Sequence, residues 1–190
     1  IVLGGIGVVV HQEVVERLRG KRRRTSLHTR IVITTSLILI VGGALFFYLF
    51  ERQNVLKGVS LDTTVLISLF QSITPRTAGF NTVDIAQLSN ATILMMIILM
   101  FIGASPGSTG GGIKTSSAAI LSLMMWNKWK GYDEVNIGSR TIPKEIVTRT
   151  LSIVLLSAFS VSLITSVLLI LGPGGISPAG NVSLLDRSGK

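Results

Sequence analysis

One stretch of the chain is too apolar for a solvated loop and too short to cross a bilayer: residues 62–81, DTTVLISLFQSITPRTAGFN. Asp62 is a favourable helix N-cap, and Thr74-Pro75 should stop the helix because proline disfavours a helical residue before it. A helix over residues 63–73 would be roughly 16 Å long, about half of a hydrocarbon core. The segment is therefore predicted to enter the membrane and turn back.

The turn after this short helix is predicted to bind a cation. Residues 77–81, TAGFN, form an extended run with one glycine, which adopts backbone angles that other residues resist. Non-helical backbone at membrane depth is tolerated only inside protein or along a wet cavity. The partly negative end of the short helix points toward these carbonyls, and potassium channels use such carbonyls in TVGYG loops to replace the hydration shell. An ordinary extracellular helix and turn is the alternative.

The arginine next to this turn is unfavourable for a cation-binding site. Arg76 precedes the glycine by three residues, and its charge should repel an approaching ion. We therefore expect Arg76 to point away from the pore, with Asp84 as its partner.

Composition and the placement of charge favour a membrane protein. Hydrophobic residues make up 47% of the chain and charged residues 14%, and the mean hydropathy is +0.62, which disfavours a soluble domain. The net charge of +9 comes mainly from two basic clusters that adjoin long apolar segments, as the positive-inside rule expects of cytoplasmic loops. The clusters are Arg17, Arg19, Lys21, Arg22, Arg23, Arg24 and Arg30, and Lys128, Lys130, Arg140, Lys144 and Arg149. Binding to nucleic acid is therefore not expected.

The order of the apolar segments predicts an all-α polytopic membrane protein with one complete membrane-pore-membrane repeat. We assign to residues 31–130 a span at 31–50, a pore helix at 62–73, a filter at 74–81, and a broken span at 91–130 with its loop at 103–114. The flanking assignments are the end of a preceding transmembrane helix with a basic loop at 1–30, a cytoplasmic loop at 131–149, and the first span of the next repeat with an outer segment at 150–190. Because the sequence opens inside an apolar run, we expect a fragment of a longer polypeptide.

The break in the second span is a loop rich in glycine. Residues 103–114, GASPGSTGGGIK, are hereafter the glycine loop. Each glycine costs a helix about 1 kcal/mol relative to alanine, and a proline about 3 kcal/mol. Lys114 is an ionisable residue at membrane depth, which indicates a function. We predict that this loop lies below the filter and obstructs the ion path, opening when Lys114 or the hydroxyl groups change partners; a structural kink is the alternative.

The same loop resembles a phosphate-binding P-loop only in its glycine spacing. Ile113 stands between the last glycine and Lys114, whereas that motif requires the lysine directly next, after a β-strand. A membrane-anchored nucleotide-binding enzyme that uses this loop is nevertheless the alternative function, and a pore-like scaffold without conduction is a third. No set of catalytic residues is recognised, and His11 and His28 lack the ligand array of a metal site. We therefore expect no enzyme, no cofactor and no resident metal.

Two motifs together resemble a known family. FQSITPRTAGFNTVD, residues 70–84, and FIGASPGSTGGGIKTSS, residues 101–117, look like the third repeat of the membrane subunit of bacterial Ktr/Trk potassium transporters. The resemblance covers nearly the whole chain, from the end of a second repeat to the start of a fourth. It implies potassium uptake through four repeats around one ion path, with backbone carbonyls of Thr77, Ala78, Gly79 and Phe80 as one quarter of the filter.

The resemblance also implies a gate and partners. The glycine loop is similar to the family's intramembrane gate loop, with candidate gate residues Gly103, Ser105, Pro106, Gly107, Gly110, Gly111, Gly112 and Lys114. The implied partners are the remaining repeats of the same polypeptide, a second copy in a homodimer, a cytoplasmic ring of nucleotide-binding regulatory subunits, and the lipid of the plasma (inner) membrane, which the protein crosses several times. Ktr-type members are often sodium-dependent, which implies coupling to Na⁺.

Overall fold

The described part of the chain is mainly helical. The computed structural model describes residues 2–20, 25–76, 78–132, 135–137 and 140–171. Its elements are α1 (Val2–Ile6), α2 (Val8–Leu18), α3 (Leu27–Glu51), α4 (Leu61–Ile73), a 3₁₀ turn (Ile85–Gln87), α5 (Asn90–Phe101), α6 (Thr115–Trp129), β1 (Val135–Ile137), β2 (Arg140–Ile142) and α7 (Lys144–Leu171). The chain divides after Leu151 into two compact units, and the described part of the second unit is the remainder of α7.

Two of the described helices, α3 and α7, are long and apolar enough to cross a membrane. Their large apolar side chains are widely exposed, among them Leu37 and Ile38 on α3 and Leu156 and Phe159 on α7. An apolar surface of this extent is unfavourable in water and suits contact with lipid.

Several element boundaries differ from those expected. Helix α3 begins at Leu27 because Ser26 caps it, its Oγ accepting from the N–H of Thr29 at 3.2 Å. Helix α4 begins at Leu61 with Ser60 at the N-cap position, so Asp62 is not the cap but lies in the first turn, where its negative charge suits the helix dipole. The segments expected as inner loops contain regular structure: a second helix, α2, continues to Leu18, and a short antiparallel hairpin, β1 with β2, precedes α7.

The buried core lies mainly between α3 and α5. Phe47 is fully buried there against Met95, Met96 and Leu99 of α5 and Leu56 of the intervening turn. Ile67 of the short helix α4 packs against this cluster.

A buried carboxylate joins the C-terminal end of α3 to the N-terminal end of α5. Glu51 is fully buried, and its Oε1 accepts hydrogen bonds from Ser89 N at 2.9 Å, Ser89 Oγ at 2.8 Å and Thr92 Oγ1 at 2.6 Å. Its Oε2 accepts from Asn54 Nδ2 at 2.8 Å. Ser89 is the N-cap of α5, so the negative charge sits at the positive end of that helix dipole. Donors and a helix terminus, rather than a cation, stabilise this charge in the part of the chain that the structure describes.

Helix α4 packs closely against the middle of α3. Ser72 on α4 donates to the carbonyls of Leu39, at 3.2 Å, and Ile40, at 2.7 Å. A Cβ on Gly43 would overlap Ser72 Oγ and lie 3.2 Å from Leu99 Cδ1, whereas a Cβ on the neighbouring Gly42 would meet nothing within 4 Å. Gly43 therefore sets how near the short helix lies to α3.

Replacing Gly43 with alanine should lower the stability of the protein. The added methyl group forces Ser72 aside, and overpacking of this kind costs about 1–3 kcal/mol, against a gain in helix propensity of about 1 kcal/mol. Gly42→Ala is the matched control, because it gains the propensity without the overlap. Thermal unfolding of both variants in detergent checks the prediction, and equal melting temperatures would contradict it.

Candidate functional site

The turn that follows α4 is folded back onto the end of the helix. The carbonyl of Thr74, the C-cap residue, accepts hydrogen bonds from the N–H groups of Ala78 and Gly79, both at 3.1 Å. Gly79 has φ +74°, a conformation that side chains disfavour, and a Cβ there would meet open space. Backbone angle rather than crowding therefore explains a glycine at this position. Thr77, the first of the expected filter residues, lies outside the described residues.

The N–H groups in this turn determine where one of its carbonyls points. In a trans peptide the C=O is antiparallel to the N–H of the following residue. Because Gly79 N–H points at the end of α4, the Ala78 carbonyl points away from it, toward the open side of the turn. The Phe80 carbonyl accepts from Thr74 Oγ1 at 2.5 Å, which uses one of its two lone pairs. The Phe80 ring is exposed.

Several polar side chains on α4 are buried, and one of them is hydrogen-bonded to the chain after the turn. Gln71 is fully buried and donates through Nε2 to Thr82 Oγ1 at 3.0 Å, which joins the helix to the chain after the turn. Thr64, Ser68 and Ser72 are also buried on this helix. Sequence reasoning did not single out these residues, although Thr64, Ser68 and Ser72 recur every four positions in an otherwise apolar helix. That spacing is the signal of a buried polar stripe.

The glycine loop closes on itself at its base. Ala104 N donates to Gly111 O at 3.2 Å, Ile113 N donates to Phe101 O at 3.1 Å, and Ile102 and Ile113 form a parallel β-bridge. A Cβ on Gly103 would overlap the Gly111 carbonyl. Gly112 has φ +77°, and a Cβ there would lie 2.9 Å from Gly103 Cα. The two strands of the loop base approach so closely that only glycine fits at these two positions.

Polar side chains form further hydrogen bonds within the loop. Lys114 Nζ donates to Gly110 O at 2.6 Å, and Ser105 Oγ lies 2.9 Å from Thr115 Oγ1 at a fully buried position. The ammonium group of Lys114 thus bends back onto the loop instead of extending toward a ligand. The loop also follows α5 and not a β-strand, so its setting differs from that of a phosphate-binding loop.

The turn after α4 and the glycine loop line one cavity. Ala78 and Phe80 from the turn and Thr109 and Gly110 from the loop border a space of about 240 Å³, together with Arg76. A second open cavity, of about 510 Å³, lies against Ala78 and Gly79 on the side of α5. Two expected filter residues, Ala78 and Phe80, and one expected gate residue, Gly110, therefore border the same space although some 30 positions apart in sequence.

The expected pairing of Arg76 with Asp84 is wrong. The Asp84 carboxylate accepts from Ala86 N at 3.0 Å and Gln87 Nε2 at 3.2 Å and caps the 3₁₀ turn. Arg76 Nε and Ser36 Oγ are buried and have no hydrogen-bond partner among the described residues. Both side chains border a small cavity of about 20 Å³, which is large enough for one water molecule.

Comparisons with known proteins match the chain over most of its length. The family model TrkH, described as "Cation transport protein", matches residues 1–174. The Ktr system potassium uptake protein B of Vibrio alginolyticus is 37% identical over 158 residues, covering 82% of this chain and 35% of that protein. The Ktr system potassium uptake protein D of Bacillus subtilis is 35% identical over 83% of this chain and 35% of its own. The potassium/sodium uptake protein NtpJ of Enterococcus hirae is 33% identical over 80% of this chain and 34% of its own. The chain thus spans about a third of the length of these relatives.

Proposed function

The chain belongs to the TrkH family of cation transport proteins, and from this premise we propose that it supplies one repeat of a potassium uptake pore. The family comprises membrane transport proteins rather than enzymes, as the Ktr/Trk resemblance implied. The relatives are named for the uptake of potassium, or of potassium and sodium. Potassium is thus the transported ion in this proposal, with sodium as the coupling ion.

In this proposal the residues 77–80 form the filter. A dehydrated K⁺ is coordinated by backbone carbonyls, and the Ala78 carbonyl, which points away from α4, is the first such ligand. Gly79 supplies the backbone angle, and the free lone pair of Phe80 is available to the ion. The C-terminal end of α4 adds a partial negative charge behind the turn. The other repeats of the same polypeptide complete the ring.

The glycine loop is the gate of this pore. The observation that carries the proposal is the cavity that Ala78 and Phe80 share with Thr109 and Gly110, since an ion leaving the filter enters the space that the loop borders. Arg76 borders the same space, contrary to the expectation that it lies away from the pore, so in this proposal its charge also opposes a cation there. The Lys114–Gly110 bond holds the loop in its obstructing position, and the ammonium group repels a cation there. Opening requires that this bond be exchanged.

The proposed setting is the plasma membrane, which α3 and α7 each cross once. Re-entrant helix α4 and the two half-helices α5 and α6 complete the repeat at residues 31–130. Trp126 and Trp129 pack at a centroid distance of 5.5 Å, and Lys130 Nζ lies 5.0 Å from the Trp126 ring centre, an arrangement that suits the cytoplasmic interface.

The partners we propose are a second copy of the protein and a nucleotide-binding regulatory ring on the basic inner segments. Two relatives named as Ktr system proteins support such a multi-component system.

Deleting residues 110–112 from the complete transporter should raise K⁺ flux. The deletion removes the acceptor of Lys114 and the Gly111 carbonyl at the loop base, two hydrogen bonds worth about 1 kcal/mol each. Together they correspond to a rise in the open fraction of roughly tenfold or more. Potassium flux into vesicles containing the purified protein measures this.

The control keeps the loop at full length. A Cβ on Gly111 would meet nothing within 4 Å, so Gly111→Ala should change flux much less than the deletion. Unchanged flux in the deletion variant would reject the loop as a gate. Absence of flux in the intact protein as well would favour a pore-like scaffold without conduction.

A further inference from the structure

The helix before the first basic cluster is interrupted where it meets the glycine loop. Gly7 separates α1 from α2, with φ +92° and ψ 146°, and no side chain caps the start of α2. Such a break leaves N–H and C=O groups without helical partners. The apolar run 1–10 alone did not reveal it, because glycine within a helix is tolerated.

Backbone groups of the glycine loop provide the missing partners. Ser105 N donates to Gly5 O at 2.9 Å, and Val8 N donates to Gly107 O at 3.2 Å. The carbonyl at the end of α1 and the first N–H of α2 are therefore both satisfied by the loop. The bonds lie on either side of Pro106.

Gly7 itself touches the same part of the loop. A Cβ there would overlap the carbonyl oxygen of Pro106 and lie 3.5 Å from Gly107 C. His11 also stabilises the break. Its ring Nε2 lies 2.6 Å from Leu3 O, and its backbone N–H donates to Gly7 O at 3.2 Å. Both a positive φ and the close approach thus require glycine.

We propose that the break at Gly7 holds the glycine loop in its resting position, so that Gly7 and Val8 are positioning residues for the gate. This inference rests on the proposed gating function of the loop. The bonds at the loop base involve Ala104, Gly111 and Ile113 and do not include these contacts. The segment at Pro106 and Gly107 is therefore restrained from α1 and α2, outside the repeat to which the loop belongs. A displacement of α2 acts on the loop through the Val8–Gly107 bond.

Two substitutions in the complete transporter test the holding role. Gly7→Ala introduces the overlap with Pro106. Val8→Pro removes only the N–H that reaches Gly107 O, since proline is tolerated at the first position of a helix and the Val8 side chain is exposed. In each variant, spin labels at Thr109→Cys and Gln12→Cys, in a background without other cysteines, report the distance between loop and α2. Potassium flux into vesicles is measured in parallel on the same variants without cysteines or labels, because Thr109 borders the proposed ion path.

We expect both variants to broaden or lengthen the label distance and to raise basal K⁺ flux about tenfold, which corresponds to about 1.4 kcal/mol. The matched controls should change neither readout. Gly20→Ala also places a side chain at a positive φ, +74°, but with open space at its Cβ. Val8→Ala keeps the N–H.

The label distance tests whether the break holds the loop, and the K⁺ flux tests whether the loop is the gate. Unchanged label distances in both Gly7→Ala and Val8→Pro overturn the inference that this break holds the loop. A changed distance with unchanged flux supports the holding role and rejects gating by the loop, and with it the proposed function on which the inference rests.

Discussion

Gly79→Ser in the complete transporter should reduce the preference for K⁺ over Na⁺ by about tenfold or more. At φ +74° a residue with a Cβ is disfavoured by about 1–2 kcal/mol, so the serine variant should leave the left-handed conformation. The Gly79 N–H then loses its bond to Thr74 O, and the Ala78 carbonyl in the same peptide turns away from its present direction. Reversal potentials in mixed K⁺ and Na⁺ measure the loss.

A second glycine separates the effect of the filter from that of strain alone. Gly58 lies between α3 and α4, with φ +80° and open space at its Cβ, so Gly58→Ser has the same backbone strain at a position that borders none of the cavities described above. That variant should be less stable and equally selective. Equal reversal potentials for Gly79→Ser and the unmodified protein would argue against residues 77–80 as the filter.

Glu51→Ala should destabilise the protein by about 3 kcal/mol or more. The substitution removes the acceptor of the partly buried Ser89 N and Ser89 Oγ and of the buried Thr92 Oγ1, and hydrogen bonds to a charged group contribute about 1.5–3 kcal/mol each. The exposed Asn54 Nδ2 loses one of its two acceptors. The end of α3 thereby loses its hydrogen bonds to the start of α5. Thermal unfolding of the purified protein in detergent measures the change.

Glutamine at the same position gives a graded test. Its oxygen can replace Oε1 toward Ser89 and Thr92, while its amide nitrogen faces the donor Asn54 Nδ2, which keeps its bond to Gln87 O at 2.6 Å. We therefore expect Glu51→Gln to cost about 1–2 kcal/mol, clearly less than alanine. Glu145→Ala, at an exposed position in the first turn of α7, is the control and should cost a few tenths of a kcal/mol. If Glu51→Ala and Glu145→Ala have similar melting temperatures, the buried carboxylate does not join the helices.

The short helix and the broken span follow from local rules of sequence. Thr74-Pro75 ends α4, and the proline and glycines of residues 103–114 separate α5 from α6, because these residues disfavour a helix wherever they occur. The family is likewise recognisable from two short motifs. Alternation, capping and turn chemistry act over a few residues, so they can be recognised without knowledge of the fold.

Partners far apart in the chain could not be assigned in this way. Asp84 was the nearest carboxylate in sequence to Arg76, yet it caps its own turn. Glu51 meets Ser89 and Thr92 across 38 and 41 positions, and Gly7 meets Pro106 across 99 positions. Such contacts depend on how α3, α5 and the interrupted first helix pack, because a side chain has many candidate partners until packing leaves one within reach.

The sequence by itself therefore determined that this chain forms apolar helices, one of them half-length, with a glycine turn and a glycine loop. Tertiary structure decided that the turn and the loop border one cavity, that a buried carboxylate joins the helices around them, and that a break in the preceding helix contacts the loop. The physical reason is range: backbone preferences act between neighbours along the chain, whereas the burial of polar groups is resolved only when distant segments supply their hydrogen-bond partners.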